Sequence, residues 1–337
     1  MNDERYSRQV LFSPIGRDGQ EKLNESSVLI IGAGALGTVV ANHLVRAGVG
    51  KIRIVDRDYV EPSNLQRQML YTEEDASRML PKAVAAKQRL SVINSSVEVE
   101  AHVMDVTAEQ MEKLTTGVDI IIDGTDNFST RYIINDASFK YNIPFSYGGA
   151  VSSRGMTAFF VPGKTPCLRC IIPDGAGNGQ TCDTAGVIAP VVDMVASLQV
   201  TEAIKWLTDN KGALRNDLYS FDLWKNTQFS MKLSNPRKQC TTCQTKEYPY
   251  LSGEAGKVQQ VLCGRDTIQF HHRHAFDLEE WANTLGKVAE VKHTPFLIKA
   301  EIDDGIHLVL FSDGRVLVQG TTEVAKARSY YDRFIGS

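Results

Sequence analysis

The chain has 337 residues, of which 42% are hydrophobic and 23% are charged, and these fractions are typical of a soluble globular protein. The formal net charge of −3 offers no electrostatic argument for binding nucleic acid or an anionic membrane. The N-terminus is charged and lacks the apolar core of a secretory signal, so the six cysteines are not expected to form a disulfide framework. We therefore expect a cytoplasmic protein whose cysteines are thiols or metal ligands.

The N-terminal part of the chain is organised around a predicted βαβ unit. An apolar run precedes Gly32, Gly34 and Gly37, which have the spacing G-x-G-x-x-G, and a second apolar run ends on Asp56 about 20 residues further on. The glycines permit a tight turn, and the backbone around Ala35 can approach a phosphate at the positive end of the following helix. Asp56 has the position of a carboxylate that accepts hydrogen bonds from a ribose hydroxyl. The unit predicts a nucleotide site without specifying the nucleotide.

Predicted helices and strands alternate along the rest of the first 248 residues. After a helical segment within 1–25 and the βαβ unit, the pattern predicts helices at 73–90 (restarting at Pro81), 107–116, 128–140 and 184–207, and strands at 96–103, 118–123, 144–147, 156–161, 219–223 and 227–233. This alternation predicts an α/β fold with a Rossmann-like, doubly wound, mostly parallel sheet. A composition shift near Tyr248 predicts a second domain at 249–337, a small α+β domain of the order β-β-α-β-β-α that ends in a helix.

Two C-x-x-C pairs, one in each of two distant segments, have the spacing of zinc ligands. They are Cys167 with Cys170 and Cys240 with Cys243. Four thiolates complete a tetrahedral site and leave no open coordination position, so we predict a structural zinc ion. The alternatives are two unrelated surface pairs or a redox-active pair.

Three basic residues are candidates for binding the phosphates of a nucleotide. Arg67 follows the second strand of the βαβ unit, Lys82 begins a helix after Pro81, and Arg8 lies near the N-terminus. A triphosphate requires such groups, because its charge must be offset while pyrophosphate leaves. Taken singly, each has the simpler explanation of a surface charge.

Asp126 and Asn127 follow a predicted buried strand that ends at Asp123. In doubly wound folds ligands bind at the carboxyl ends of the strands. Mg²⁺ prefers carboxylate, water and phosphate oxygens, so we predict that Asp126 binds Mg²⁺. The alternative is that Asp126 caps the helix that begins at Phe128.

Together these motifs resemble those of the ThiF/MoeB-type adenylyltransferases, which activate ubiquitin-like sulfur-carrier proteins and are related to ubiquitin-activating enzymes. The resemblance rests on RYSRQ at 5–9, GAGALG at 32–37, SNLQRQ at 63–68, PK at 81–82, GTDN at 124–127, TCDTAGVIAP at 181–190 and the four paired cysteines. The glycine motif alone is common, whereas the set is specific to this family.

The resemblance implies a reaction and a role for each matching residue. ATP·Mg²⁺ binds over the glycine loop, and the C-terminal glycine carboxylate of a carrier ending in Gly-Gly attacks the α-phosphate, giving a carrier acyl-adenylate and pyrophosphate. The carrier is ThiS-type, in thiamin thiazole synthesis, or MoaD-type, in molybdopterin synthesis. Asp56 is then expected to hold the ribose, Asp126 to bind Mg²⁺, and Arg8 to reach into the partner subunit's site of a homodimer. ATP-binding roles fall on Asn64, Arg67, Lys82 and Asn127.

Cys182, in the TCDTAG segment, matches a cysteine that takes part covalently in carrier or sulfur transfer in some family members. We include it among the predicted catalytic residues, with a sulfur donor protein as a further partner. The alternative is an ordinary thiol near a helix start, where the helix dipole lowers the pKa in any case. The predicted C-terminal domain lacks a rhodanese-type cysteine loop, and a protein-docking module is one hypothesis for it.

Three other functions compete with carrier adenylation. An NAD-dependent oxidoreductase shares the glycine fingerprint, but four zinc-type cysteines and the SNLQRQ and GTDN segments argue against it. A non-catalytic nucleotide-binding scaffold would not need the full set of polar groups. The tRNA-adenylate-forming cyclising dehydratases are a related enzymatic alternative.

Overall fold

The structure is a computed structural model and describes residues 4–173, 185–252, 261–262 and 266–336. The chain divides into two compact units, Met1–Gly256 and Lys257–Ser337. Cys182, for which a role was predicted, and residue 184, where a helix was predicted to begin, lie outside the described residues. In the described part of the chain, no helix is both long and apolar enough to cross a membrane.

The first unit contains one eight-stranded sheet. Its strands follow one another in the spatial order β3-β2-β1-β4-β5-β6-β7-β8. Their bounds are β1 Ser27–Ile31, β2 Lys51–Asp56, β3 Glu98–Val103, β4 Ile120–Asp123, β5 Phe145–Val151, β6 Arg154–Phe160, β7 Asp217–Asp222 and β8 Thr227–Lys232. The five strands that are adjacent in the order β3-β2-β1-β4-β5 pair in parallel, and the pairs from β5 to β8 are antiparallel. The predicted Rossmann-like, mostly parallel sheet is confirmed.

The helices of the first unit alternate with its parallel strands. Among the described residues they are α1 Ser7–Val10, α2 Gly16–Glu25, α3 Ala35–Ala47, α4 Glu73–Ser77, α5 Lys82–Ile93, α6 Ala108–Thr115, α7 Phe128–Tyr141, α8 Leu168–Ile171 and α9 Ala189–Leu207, with 3₁₀ turns at Pro62–Asn64 and Lys211–Ala213. Every residue of β1 and β4 is buried, as expected for central parallel strands covered on both faces. The helix predicted at 73–90 is two helices, α4 and α5, and α5 begins directly after Pro81 as expected.

The strand order reverses at the middle of this sheet. Strand β1 lies between β2 and β4, and the helix that follows it, α3, connects it to β2. In open α/β sheets such a switch point leaves a crevice at the carboxyl ends of the strands. The loop after β1, which carries the glycines, and the loop after β4, which carries Asp126, therefore begin at this crevice.

The described residues of the second unit form a six-stranded antiparallel sheet and two helices. The strand order is β11-β12-β13-β14-β10-β9. Its elements are β9 Val261–Leu262, β10 Thr267–His271, α10 Leu278–Leu285, β11 Glu290–His293, β12 Leu297–Asp303, β13 Ile306–Phe311, β14 Arg315–Gln319 and α11 Val324–Phe334. Its core includes Ile268, Leu308, Val316 and Tyr331.

The predicted small α+β domain is confirmed as a class, but the predicted order β-β-α-β-β-α is wrong. Four strands, β11 to β14, lie between the two helices. Two of their connections are tight turns at Gly305 and Gly314, which have φ values of +71° and +91°. Each of these glycines follows an aspartate, and Asp-Gly is a strong hairpin signal that the prediction did not use.

Close packing of three glycines joins the ends of β1 and β4. A Cβ on Gly32, whose φ is +94°, would lie 2.5 Å from the carbonyl oxygen of Gly124. A Cβ on Gly37 would lie 1.8 Å from the carbonyl oxygen of Gly32. Gly34 differs, because a Cβ there would meet only the Gln68 amide nitrogen, at 4.0 Å. Gly32 and Gly37 are therefore required by the fold, whereas the fold does not require a glycine at position 34.

We predict that Gly37→Ala destabilises the first unit by about 3 kcal/mol, since backbone must move to admit the methyl group. Gly34→Ala is the matched control in the same loop and should unfold within about 0.5 kcal/mol of the wild type. Urea unfolding followed by circular dichroism compares the two variants. Equal midpoints for Gly37→Ala and Gly34→Ala would contradict the packing described here.

Candidate active site

Asp56 is bonded to the glycine loop. Its Oδ2 accepts a hydrogen bond from the Ala33 N–H at 2.6 Å, and its Oδ1 accepts one from the Asp58 N–H at 2.7 Å. Burial raises the pKa of Asp56, and Asp58 adds to this while Lys82 opposes it. The carboxylate at the end of β2 thus positions the loop at the N-terminus of α3, where it was expected to face a ribose.

Lys82 lies in the same crevice and is 2% exposed. Its backbone N–H donates to the Asp58 carbonyl at 2.8 Å, and its Nζ lies 3.2 Å from Asp58 Oδ2. The structure therefore brings Lys82, at the start of α5, next to the Asp56 end of β2. Asp58, which was not predicted as a site residue, holds Lys82 there through both its carbonyl and its carboxylate.

Arg57 carries a second positive charge among the carboxylates at this edge. Its Nη1 lies 3.1 Å from Asp105 Oδ1, and its Nε lies 3.9 Å from Asp58 Oδ1. Burial acts to lower the pKa of Arg57, but the charges of Asp105, Asp58, Asp126 and Asp56 outweigh it and raise the pKa. The influence of Asp126 on Arg57 shows that the loop after β4 and the end of β2 share one electrostatic environment. The alternating charges of Asp56, Arg57 and Asp58 are the signal that the sequence prediction missed.

The segment after the Pro62–Asn64 turn folds back toward the glycine loop. The buried Asn64 accepts a hydrogen bond from the Glu61 N–H at 3.1 Å, so its side chain holds the turn. Arg67 is half-buried and donates to the Ser63 carbonyl at 2.9 Å.

Gln68 follows Arg67 and is a site candidate that the prediction missed. It is 3% exposed, and its Oε1 has no hydrogen-bond partner among the described residues. Its amide nitrogen faces Gly34. It stands within the predicted SNLQRQ motif, although only Asn64 and Arg67 were singled out there.

The loop after β4 is held by a buried ion pair. Arg131 Nε donates to Asp123 Oδ2 at 2.9 Å, and Asp123 is fully buried. Asp123 Oδ1 also accepts hydrogen bonds from the N–H and the hydroxyl of Thr125, at 2.8 and 2.6 Å. Arg131 Nη2 donates to the carbonyls of Thr125 and Gly148, at 2.7 and 3.0 Å. Neither member of the pair was predicted as functional.

Asp126 follows this braced loop and is exposed. The helix cap of α7 is Asn127, whose Oδ1 accepts a hydrogen bond from the Thr130 N–H at 2.9 Å. The alternative explanation of Asp126, as the cap of this helix, is therefore wrong. The carboxylate accepts a hydrogen bond from Asn127 Nδ2 at 3.4 Å and otherwise faces outward at the carboxyl edge of β4.

Arg8 is exposed on α1. The flanking residues anchor this helix to the first unit: the Tyr6 hydroxyl accepts from Asn94 Nδ2 at 2.9 Å, and Gln9 Nε2 donates to the Ala47 carbonyl at 2.9 Å. Arg8 thus stands on a fixed segment with its side chain in solvent.

The four paired cysteines converge at one point. Their sulfurs all lie within 4.8 Å of one another, and the closest distances are 3.4 Å for Cys167–Cys240 and for Cys170–Cys243. Sulfurs of a tetrahedral zinc site with Zn–S bonds of 2.3 Å are about 3.8 Å apart. The donor set and its spacing therefore fit a closed Zn²⁺ site, and the alternative of two unrelated surface pairs is wrong.

Helix α7 holds both cysteine pairs. The fully buried Asp136 accepts a hydrogen bond from the Thr242 hydroxyl at 2.5 Å and lies 3.7 Å from Arg169. Asn135 Oδ1 accepts from the Leu168 N–H at 2.8 Å. Each C-x-x-C pair thus has a residue between its cysteines bonded to α7, the helix that carries Arg131. A metal at the cysteines would consequently brace the helix that holds the loop of Asp126.

A family model described as the ThiF family matches residues 6–242. The chain belongs to the ThiF family. The match runs from the segment before α1 through Cys240 and ends one residue before Cys243.

Relatives in this ThiF family support the same assignment. The chain is 50% identical over 336 residues to the sulfur carrier protein ThiS adenylyltransferase of Bacillus subtilis (strain 168), covering 98% of this chain and 99% of that protein. It is 37% identical over 246 residues to the adenylyltransferase and sulfurtransferase MOCS3 of Anopheles gambiae, covering 72% of this chain and 55% of that protein. A crystal structure of E. coli MccB with ATP is similar, with a TM-score of 0.63, 25% identity, and 72% of this chain and 75% of that chain covered. The predicted ThiF/MoeB-type adenylyltransferase is confirmed as the enzyme class of this chain.

We predict that this ThiF-family chain holds one zinc ion and that removing it lowers the melting temperature by about 10 °C or more, because metal binding contributes folding free energy. Metal analysis of the purified protein and thermal unfolding with and without a chelator test this. Cys240→Ser should lose the metal, and Cys182→Ser, which leaves all four cysteines of the cluster intact, should keep it. A metal-free wild type with an unchanged melting temperature would contradict the structural role.

Proposed function

We propose that the chain adenylates the C-terminal glycine of a ThiS-type sulfur-carrier protein, with ATP·Mg²⁺ as the co-substrate. One observation carries the proposal: the glycine loop, Lys82 and the outward-facing Asp126 meet at the carboxyl edge of the parallel strands. The relative from Bacillus subtilis is named for action on ThiS, and its similarity runs through both units of this chain.

The proposed reaction requires little acid–base chemistry from the protein. A carboxylate oxygen of the carrier's terminal glycine forms a bond to the α-phosphorus of ATP, and the bond from that phosphorus to the bridging oxygen of pyrophosphate breaks. The nucleophile is already ionised at neutral pH, so positioning and charge compensation supply the rate enhancement. The uncapped first turn of α3 offers backbone N–H groups to the phosphates.

Each predicted site residue receives a role in this proposal. Asp56 accepts from the ribose, and Lys82 exchanges part of its interaction with Asp58 for an interaction with phosphate oxygens. Arg67 binds phosphate, and Asn64 and Asn127 shape the two loops that enclose the nucleotide. The roles of Asp56 and Lys82 rest on their positions at the carboxyl end of β2 and on the matching family motifs. The role of Arg67 rests on the motif alone, and those of Asn64 and Asn127 rest on the motifs and on the turns that their side chains hold.

Mg²⁺ is proposed at Asp126. Asp126 fits a hard cation, since it is an exposed carboxylate in the loop after a parallel strand. Asp126 also acts on the pKa of Arg57 together with Asp56 and Asp58, so these carboxylates lie in one neighbourhood. When bound, the ion would neutralise the charge that develops on the leaving pyrophosphate. Asp126 would hold this ion while the Asp123–Arg131 pair keeps the loop in place.

Two further proposals concern Cys182 and the identity of the carrier. Cys182 is proposed to take part in carrier or sulfur transfer after adenylation, with a sulfur donor protein as the further partner. A MoaD-type carrier is the second candidate substrate, and the similarity to the Anopheles gambiae adenylyltransferase and sulfurtransferase supports it, over a shorter part of the chain. An NAD-dependent oxidoreductase has no support from these relatives.

We predict that the enzyme incorporates labelled pyrophosphate into ATP only when a carrier ending in Gly-Gly is present, and faster with a ThiS-type than with a MoaD-type carrier. Lys82→Met should slow exchange by about 100-fold or more, because a buried charge opposite the phosphates is lost. Lys87→Met is the matched control on the exposed side of α5 and should exchange at the wild-type rate. Carrier-independent exchange, or tight NADH binding without exchange, would refute the proposal.

We also propose that Arg8 completes the site of the partner subunit in a homodimer, which a complementation experiment tests. Arg8→Ala and Lys82→Met should each have little activity alone, but co-refolded subunits should regain roughly a quarter of wild-type activity, since half of the dimers have one intact site of two. If Arg8 acted within its own subunit, no mixed dimer would have an intact site. Activity no greater than that of the single variants would therefore exclude the trans role.

A further inference from the structure

One buried hydroxyl connects the three segments that surround the proposed phosphate site. The Tyr71 Oη lies 2.6 Å from the carbonyl oxygen of Ala33, in the glycine loop, and 3.1 Å from the carbonyl oxygen of Lys82, in the first turn of α5. Tyr71 itself follows the motif segment, and its backbone N–H donates to the Gln68 carbonyl at 3.1 Å. The side chain is 7% exposed. No sequence motif pointed to this residue.

The Tyr71 hydroxyl lies within hydrogen-bonding distance of two carbonyl oxygens from different segments. Two carbonyl oxygens from segments about 50 residues apart in the chain converge on one O–H group, and neighbouring carbonyl dipoles repel each other unless a donor lies between them. The shorter distance, to Ala33, is that of a strong O–H···O hydrogen bond. The peptide of Ala33 is held from its other side as well, since its N–H donates to Asp56. Both polar groups of this residue are therefore fixed by side chains.

The hydroxyl remains a donor throughout the neutral pH range. Burial raises the pKa of Tyr71 well above its usual value, and the charges of Asp56, Asp75 and Asp58 act in the same direction. A phenolate at this point would face two carbonyl oxygens and three carboxylates. The contact accordingly does not titrate while the enzyme is active.

We infer that Tyr71 is a positioning residue for ATP: its hydroxyl holds the glycine loop against the N-terminus of α5, so that the loop N–H groups and Lys82 present a preformed cradle to the phosphates. This inference rests on the proposed adenylation. Without the hydroxyl, the Ala33 carbonyl is buried without this donor, and no donor from Tyr71 lies between it and the Lys82 carbonyl. The loop relaxes away from α5, and ATP must restore the geometry when it binds.

The test is Tyr71→Phe in the full-length, zinc-loaded enzyme. We expect the KM for ATP in the carrier-dependent exchange reaction to rise about tenfold, which corresponds to one unsatisfied buried acceptor. The Kd of a non-hydrolysable ATP analogue should rise by the same factor. The kcat and the KM for the carrier should change less than twofold, and the ratio of variant to wild-type KM for ATP should stay constant between about pH 6 and 9.

Tyr132→Phe is the matched control. Tyr132 is also buried, and its hydroxyl lies 3.1 Å from each of two backbone carbonyls, those of Ile172 and Pro173, in the neighbourhood of the cysteine cluster. It should lose thermal stability like Tyr71→Phe but keep the wild-type KM for ATP.

The outcomes separate this inference from the function on which it rests. An unchanged KM and Kd for the ATP ligands in Tyr71→Phe, or an equal rise in Tyr132→Phe, would overturn the positioning role while leaving adenylation in place. A wild type that binds the analogue without exchanging pyrophosphate would overturn the proposed function, and the analogue Kd of Tyr71→Phe would still decide the positioning role. A wild type that binds no ATP analogue would overturn both.

Discussion

The buried ion pair between Asp123 and Arg131 is the interaction on which the arrangement of the site depends. Asp123 ends β4, and Arg131 is the fourth residue of α7, from which it also donates hydrogen bonds to carbonyls of the loop after β4 and of β5. The Asp123 carbonyl accepts a hydrogen bond from Gln199 of α9 at 2.9 Å. Removing one member of a buried pair typically costs about 3–5 kcal/mol, because the other charge is left without compensation. The two buried charges therefore hold the loop that carries the exposed carboxylate of Asp126.

The buried cations of the same crevice form ion pairs with carboxylates of the protein itself. Lys82 is paired with Asp58, and Arg57 is paired with Asp105 and, at a longer distance, with Asp58, so neither cation is buried alone. In the proposed reaction, a triphosphate would replace one anionic partner by another rather than create a new ion pair in a buried site. This arrangement explains how a site rich in cations is compatible with a stable fold, and it gives Asp58 a purpose that its position in the sequence does not reveal.

The parts of the site that local sequence determines were predictable, and those that depend on distant contacts were not. Gly37 is required by a backbone contact within one βαβ unit, and the cysteine pairs have a spacing that a tetrahedral metal imposes. Gly32 was predicted from the same local spacing, although the backbone that excludes a side chain there is that of Gly124, after β4. Tyr71 and Arg131 act by reaching carbonyls of other segments, which no local pattern encodes. Asn127, rather than Asp126, proved to be the helix cap, a distinction between two adjacent polar residues that only the geometry resolves. The extra strands of the second unit had a signal, Asp-Gly turns, that the prediction overlooked.

The central claim is that the α-phosphate of ATP is transferred, with its adenosine, to the carrier. The most direct measurement follows two labels in a single incubation of enzyme, ThiS-type carrier and ATP·Mg²⁺, with the carrier examined by mass spectrometry. The account predicts that a label in the α-phosphate remains on the C-terminal glycine of the carrier as AMP, while a label in the γ-phosphate leaves as pyrophosphate. A carrier that acquires the γ-phosphate, or that remains unmodified while ATP is consumed, would contradict it.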